Sequence, residues 1–446
     1  MGITMNKGRG AGALGDVIAR RKAEERCGVY SCCSANEDVL IAAIDRAVAT
    51  GSILLVEATA NQVNQFGGYT GKTPEEFACY VRGLAHERGL ALDKLCLGGD
   101  HLGPLVWRDE PEAVAMRKAE TLVRAFVAAG YEKIHLDTSM RLGDDDRTQP
   151  FPVSLCAARG ARLCAACEHE FSKRRVRRPG AVAPVYVIGS EVPVPGGEVG
   201  NDPSSNVTTR RDCDLTVQAY REAFEQAGID DAFERVAAMV VEMGAEFSEY
   251  EISEYDHSAF AELAEANEGS LIAFEAHSTD YQTRENLARM REDGALFLKV
   301  GPALTFAARS ALFKLELIER ELVREASRSR FRDVLESAMV ANPSKWKGYY
   351  SGTGDDQAFA RAFSFSDRCR YYLDVPEVKR ARARLLDNLE GVGIPACILL
   401  EYFPAQYARV RRGLLEPAAK AVLHDSIGDV IDDYLFATDS NGASRA

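Results

Sequence analysis

The chain has 446 residues, 46% hydrophobic and 27% charged, with 36 glycines against 16 prolines. That is ordinary globular composition, long enough for one large domain with an appendage or for two domains. Its formal net charge of −13 argues against a nucleic-acid partner, which calls for a basic face, and against an anionic membrane surface. A phosphorylated substrate stays open, because a pocket needs only a few local cations or a helix N-terminus to hold one.

The eleven cysteines follow no framework spacing, which fits reduced thiols and a cytoplasmic location. Cys164 and Cys167 form a CxxC with His169 nearby. No second CxxC follows and LCAACEHEF reads as helix, so a zinc site there is disfavoured. The opening residues hold no apolar segment of signal-peptide type, and Asn6 stands where myristoylation wants Ser or Thr. No run approaches transmembrane length.

In chain order, residues 1–26 read as a Gly-rich arm and a short basic helix, Asp16–Glu25. Eight apolar runs of strand type follow: Gly28–Cys33, Ile53–Ala58, Lys94–Leu97, Lys133–Leu136, Val185–Ile188, Val236–Val241, Leu271–Phe274 and Leu296–Val300. Between them lie helical patterns such as Pro74–Arg88, Pro111–Ala129, Asp212–Ala227 and Asp280–Glu292. Eight strands alternating with helices predict a (β/α)8 TIM barrel over residues 27–325. A doubly wound sheet would need a Gly-rich turn after the first strand, and CCSANED is not one.

Residues 326–446 read as an α-helical C-terminal extension: Phe331–Met339, Val375–Leu389, Ala405–Gly413 and Ala418–Asp433, with the aromatic, Arg-rich WKGYYSGTG and FSFSDRCRYYL between the first two. The extension is expected to pack on the barrel or to form an oligomer contact, and a homo-oligomer is expected.

Polar residues at the C-terminal ends of barrel strands line one mouth, where the chemistry sits. Glu57 comes with strand two, ahead of the loop NQVNQFGGYTG that brings Asn61 and Gln65. Asp100 and His101 follow strand three in GGDHLGP, where the Gly-Gly reads as the start of a loop. His135, Asp137 and Ser139 come with strand four, Glu191 and Glu198 with strand five, and Glu242 or Glu246 with strand six. Glu275, His277, Ser278, Asp280 and Gln282 come with strand seven, then Lys299 and Gly301 with strand eight. Each alone has a plain explanation as a helix cap or a satisfied core group. Collected on one face, so many carboxylates and imidazoles are costly unless a cation or proton shares them. A divalent metal is therefore expected, held by His101 and His277 with Glu275, Asp137 or Glu191 completing the set. Such donors suit zinc or manganese. Glu57, Asn61, Gln65, Ser278, Asp280, Lys299 and Gly301 are the candidates for substrate contact, with phosphate at Ser278, Lys299 and the Gly301 backbone. GGYTGKT at Gly67–Thr73 is a near miss to a phosphate loop: one residue too few separates Gly67 from Gly-Lys-Thr, and Pro74 follows.

Taken together, NQVNQFGGYTG, GGDHLGP, IHLDTSM, GSEVPVPGGE, EAHSTDYQ, LKVGPALTFA and SDRCRYY resemble the GatZ/KbaZ family, the Z subunit of tagatose-1,6-bisphosphate aldolase. The resemblance implies a class II aldolase-like barrel in the galactitol and tagatose branch of sugar catabolism. Some members accompany a separate catalytic aldolase subunit and are called non-catalytic; others act alone as tagatose 6-phosphate 4-epimerases; some carry the label tagatose 6-phosphate kinase. Class II aldolases have an Asp-His after strand three, Asp as acid/base and His as metal ligand, which Asp100 and His101 match, and His277 resembles a second ligand. The chain departs from that pattern in having MVVEMGAEF where strand six would bring a His, and AHSTD where a GGS-type phosphate loop would follow strand seven.

A ketose C4 hydrogen is not adjacent to the C2 carbonyl, so inversion there needs transient oxidation or C3–C4 cleavage. With no dinucleotide fingerprint present, cleavage is the economical route. The expectation is a metal-dependent tagatose 6-phosphate 4-epimerase, with Asp100 as acid/base and Glu191 or Glu275 as its counterpart. The alternative is a non-catalytic partner that stabilises an aldolase subunit.

Overall fold

The computed structural model describes residues 12–23, 25–190 and 207–438. Eight parallel strands close into a barrel: β1 (Val29–Cys32), β2 (Leu54–Thr59), β3 (Leu95–Leu102), β4 (Lys133–Leu136), β5 (Val185–Ile188), β6 (Val236–Val241), β7 (Ala273–Ala276) and β8 (Ala295–Val300). Each pairs with the next, and β8 closes on β1 with Ser31 opposite Lys299. Strands covered on both faces read as near-continuous Val/Ile/Leu runs, which is why VAAMVV and ALFLKV are buried along their whole length. The fold is the (β/α)8 barrel with a helical extension.

A helix of ten residues, α1 (Ala13–Lys22), precedes the barrel, three residues earlier than its basic pattern suggests. The outer layer is α2 (Glu37–Thr50), α3 (Pro74–Arg88), α4 (Glu112–Ala129), α5 (Val153–Arg177), α6 (Arg210–Gln226), α7 (His257–Ala266), α8 (Arg284–Glu292) and α9 (Pro302–Leu322). A small antiparallel ladder, Glu246–Phe247 with Ile252–Ser253, follows β6.

Among the boundaries that differ from the sequence reading, two shape the mouth. β3 does not stop at Gly98: Gly98, Gly99 and Asp100 pair with Glu57, Ala58 and Thr59. A side chain on Gly98 would bring its Cβ within 2.8 Å of Glu57 Cγ, and one on Gly103 within 1.7 Å of the Asp137 carbonyl oxygen. These glycines serve close approach inside a strand and at its exit rather than a turn. Pairing with β4 then slips between Gly99 and Leu102, and His101 takes a left-handed φ of 45°. β7 lies two residues later than its apolar run, because Leu271 is 61% exposed and belongs to the preceding loop. α8 starts at Arg284 with Thr283 as its cap, since Asp280 is engaged elsewhere.

Beyond the barrel come α10 (Phe331–Ala341), α11 (Gly354–Phe363), α12 (Pro376–Val392), α13 (Ala396–Tyr402), α14 (Pro404–Arg411) and α15 (Ala419–Thr438). α15 packs against α2, α8 and α9 and reaches β1, so it forms part of the barrel wall. Its Tyr434 hydroxyl donates to the Thr279 carbonyl at 2.8 Å. Asp38 on α2 is gripped by Arg382 and by His424 at 3.1 Å. No helix among the described residues is long and apolar enough to cross a membrane. Cys164 and Cys167 are buried on α5; burial raises both thiols, and neither joins a ligating cluster among the described residues.

Candidate active site

The slip in β3 has a chemical consequence. In a regular strand Asp100 and His101 would face opposite sides. With the bulge and the left-handed turn at His101, both line the same cleft at the mouth. A second left-handed residue, Ser278 at φ 53°, follows His277 directly. Backbone strain of this kind persists where the surrounding fold over-determines it, commonly at functional sites.

The result is a triangle of imidazoles. Ring centroids of His101 and His135 lie 5.0 Å apart, those of His101 and His277 5.0 Å, and those of His135 and His277 5.4 Å. Donor atoms of Asp100, His101, His135 and His277 fall within 4.8 Å of one another, and all four residues are buried. Two of the rings are held from outside the triangle. His101 Nδ1 stands 2.8 Å from Asp137 Oδ2, and His277 Nε2 3.0 Å from Glu275 Oε1. His135 Nδ1 accepts the His101 backbone N–H at 3.3 Å, and His135 Nε2 is buried with no hydrogen-bonding partner among the described residues.

Below the triangle lies an ionic layer inside the barrel. Lys133 Nζ bridges Glu57 Oε1 at 2.7 Å and Glu275 Oε2 at 2.6 Å. Lys299 Nζ bridges Asp100 Oδ1 at 2.7 Å and Glu57 Oε2 at 3.0 Å. Burial would raise the Asp100 carboxyl, but His101 and Lys299 outweigh it and hold that group well below its usual range. The same contest brings Asp137 down to about 2, through its hydrogen bond with His101. Burial drives His277 to about 3, so its ring is neutral.

These residues fit a divalent cation. Asp100, Asp137, Glu57 and Glu275 are four buried carboxylates against the two ammonium groups of Lys133 and Lys299. With the three imidazoles neutral, as ligation requires, the remainder is a formal −2 that a divalent ion cancels, and an uncompensated buried charge is costly. Without an ion, burial is outweighed by Asp100 and Asp137, which raise the His101 ring and favour a proton there instead. The orphaned His135 Nε2 and the carboxylates behind His101 and His277 match the way ligating histidines are usually supported. His101, His135 and His277 would hold the ion, with Asp100 beside it on Lys299.

Of the residues named from sequence, Asp100, His101, His277, Asn61, Ser278, Asp280, Lys299 and Gly301 line the cleft. Others have different duties. Asp137 turns away to orient His101 and Ser139. Glu57 and Glu275 sit beneath the mouth on the two lysines, fully buried. The Gln65 amide leaves the cleft and donates to the Lys118 carbonyl on α4 at 3.0 Å, because its loop turns outward after Asn64. Asp280 accepts the Gly301 and Ala303 N–H groups at 3.0 and 2.7 Å. A side-chain carboxylate therefore already caps α9, and the Gly301 backbone is not a free phosphate cradle. Burial raises Asp280 to about 6. Ser278 Oγ donates to Glu246 Oε2 at 3.0 Å. Glu191 and Glu198 lie outside the described residues.

The sequence reading passed over His135 as a ligand, although it shares the inward face of β4 with Lys133 and Asp137. It also assigned no role to Arg370, Tyr371 and Asp374, which reach the cleft from the extension; the SDRCRYY run was the one signal for Arg370 and Tyr371. The GGYTGKT stretch forms no phosphate loop. Thr73 caps α3 in a reciprocal pair with Glu76, and Lys72 lies over the Tyr80 ring.

Residues 14–439 match the family described as D-tagatose-1,6-bisphosphate aldolase subunit GatZ/KbaZ-like. The D-tagatose-1,6-bisphosphate aldolase subunit GatZ of Klebsiella pneumoniae is 42% identical over 428 residues, 96% of this chain and all of the relative. The protein of the same name from Salmonella newport is 41% identical over 421 residues, 94% of this chain and 98% of its own. A crystal structure titled a probable tagatose 6 phosphate kinase, from Sinorhizobium meliloti, superposes with a TM-score of 0.83 at 40% identity, over 92% of this chain and all of that one. These names favour the aldolase-subunit expectation over the epimerase. With the family matched across nearly its whole length, the chain belongs to the GatZ/KbaZ-like family of tagatose-bisphosphate aldolase subunits.

Proposed function

We propose that this chain itself carries chemistry on a ketose phosphate, as a metal-dependent tagatose 6-phosphate 4-epimerase working by reversible C3–C4 cleavage. The observation that supports the reading is the intact mouth: three imidazoles and Asp100 around one point, with His101 and His277 braced from behind by Asp137 and Glu275. A subunit that only stabilised a partner would have no use for a buried charge deficit. A divalent cation bound there would supply Lewis acidity toward a C2 carbonyl and C3 hydroxyl.

The residues of the chain do the rest. Asp100, ionised and facing the cleft, takes the C4 hydroxyl proton as the C3–C4 bond breaks. The bonding pair moves onto C3 and is delocalised into the C2 carbonyl, leaving C4 as an aldehyde. Lys299, 2.7 Å from Asp100, keeps that carboxylate positioned and adds positive charge where negative charge develops. Rotation of the aldehyde and re-addition of C3 to its other face, with the proton returned from Asp100 to the C4 oxygen, completes inversion. Glu275 acts through His277 and Lys133 as a positioning residue.

A second reading, a partner that supports a separate aldolase subunit, draws on the names of the relatives. One assay separates the two. The purified chain is given tagatose 6-phosphate with Mn²⁺ or Zn²⁺, and fructose 6-phosphate is measured. Turnover by the chain alone supports the epimerase. No turnover, together with restored bisphosphate cleavage when an aldolase subunit is added, supports the partner.

A further inference from the structure

We propose that Arg370, delivered by the C-terminal extension, is the anchor for a terminal phosphate monoester of the substrate, which makes the extension a specificity element. This rests on the sugar-phosphate reading above.

The cleft offers few cations. Lys299 lines it, but its ammonium is consumed by Asp100 and Glu57 at 2.7 and 3.0 Å. The Gly301 and Ala303 N–H groups are held by Asp280. Arg370 is different. It lines the same cleft and has no carboxylate within ion-pairing distance among the described residues. Its Nη1 donates to the Ser366 and Asp367 carbonyls and its Nη2 to the Tyr371 hydroxyl at 3.2 Å. Nε–H and one Nη2 hydrogen are left without a partner among the described residues. Neutral acceptors fix the guanidinium in place without cancelling its charge, and the free edge is the forked geometry that suits a phosphate.

The surroundings keep that group rigid. Arg370 lies 4.6 Å from the Tyr371 ring centroid, and Tyr371 packs edge-on against Tyr69 at 5.0 Å. Asp367, in the same turn, accepts from Thr305 Oγ1 at 2.6 Å and from Arg309 at 2.9 Å on α9, which ties the turn to the barrel. Three carboxylates share that region. Asp367 pairs with Arg309 at 2.9 Å and Asp374 with Lys379 at 2.8 Å, and Asp280 is turned onto the α9 N–H groups. An anionic substituent at Arg370 therefore meets a guanidinium that no carboxylate contacts among the described residues.

The test is a binding titration of the full chain with D-glucitol 6-phosphate, D-glucitol and D-glucuronate, followed by calorimetry. The wild type is expected to prefer the phosphate over the free polyol. Arg370→Gln, which keeps hydrogen bonds to the turn, is expected to lose about ten- to a hundredfold of affinity for the phosphate and to bind glucitol as before. Arg370→Lys keeps the charge without the fork and falls between the two, which guards against a fold lost in the glutamine variant. Wild-type affinity in both variants, no preference for the phosphate in the wild type, or tighter binding of the glucuronate would each overturn the assignment. A phosphate preference that vanishes in Arg370→Gln, in a chain that epimerises nothing, keeps the anchor and removes the catalytic reading. Turnover with an unchanged KM in Arg370→Gln does the reverse.

Discussion

His101 Nδ1 lies 2.8 Å from Asp137 Oδ2, so the carboxylate read from sequence as a metal ligand stands behind the imidazole. An outer carboxylate sets the tautomer and orientation of a ligating histidine and raises its basicity. Asp137→Asn is expected to keep the fold and to weaken metal affinity by about 10–100-fold, measured by competition with a chelator. His135→Ala, which removes a donor, is expected to cost more than Asp137→Asn. The opposite ranking would put Asp137 in the coordination shell and His135 outside it.

The ionic layer below the triangle makes a separate prediction about stability. Lys133 is fully buried; its ammonium pairs with Glu57 and Glu275 and lies 4.8 Å from the Phe297 ring centroid. Lys133→Met leaves Glu57 and Glu275 with Lys299 alone, at 3.0 and 3.8 Å, and breaking a buried pair from one side costs about 3–5 kcal/mol. Adding Glu57→Gln should recover part of that loss, because a neutral amide is cheaper to bury than an unpaired carboxylate. Denaturant midpoints for the single and double variants check this. An unaffected Lys133→Met midpoint would mean that water or protons neutralise the layer.

Why some of this was legible and some not follows from where the information lies. The apolar runs of the eight strands are local, and so is the Asp100–His101 pair, so the barrel and its mouth could be read directly. The strand-four run carries Lys133, His135 and Asp137 on one face by its period of two, but period says nothing about depth. Lys133 ends in the barrel interior, His135 at the triangle and Asp137 beyond it. The close approach of Gly98 to Glu57 depends on β2 and β3 being neighbours, so Gly-Gly looked like a loop. Arg370 lies some seventy residues beyond β8, and only the docking of Asp367 onto α9 brings it over the mouth.

The attachment of the extension should show in the pH dependence of stability. Asp38 is buried, and burial would raise its carboxyl, but the hydrogen bonds and charges of His424 and Arg382 outweigh that and lower it. A carboxyl whose folded pKa is depressed contributes stability above its unfolded value and loses it as pH falls through the folded one. Asp38→Asn is therefore expected to destabilise the chain by about 1.5–3 kcal/mol near neutral pH. The gap to wild type should close below about pH 4, where an unperturbed aspartate protonates. Thermal midpoints of both chains across that range test it, and a gap that widens in acid would show that Asp38 is not held as an anion.

Metal removal gives the most direct check on the site. An ion that binds only the folded chain adds stability by mass action, about 2.7 kcal/mol at a hundredfold excess over its Kd. Wild type stripped with chelator should melt lower than wild type refilled with Mn²⁺, and His277→Ala should melt at one temperature in both states. Manganese is the better probe than zinc here. Cys79 and Cys397 are exposed thiols that soft ions would find in folded and unfolded chains alike, whereas manganese has little affinity for thiols. If Mn²⁺ stabilised His277→Ala as much as wild type, the ion would be sitting elsewhere, and the charge deficit under the imidazoles would have to be met by protons.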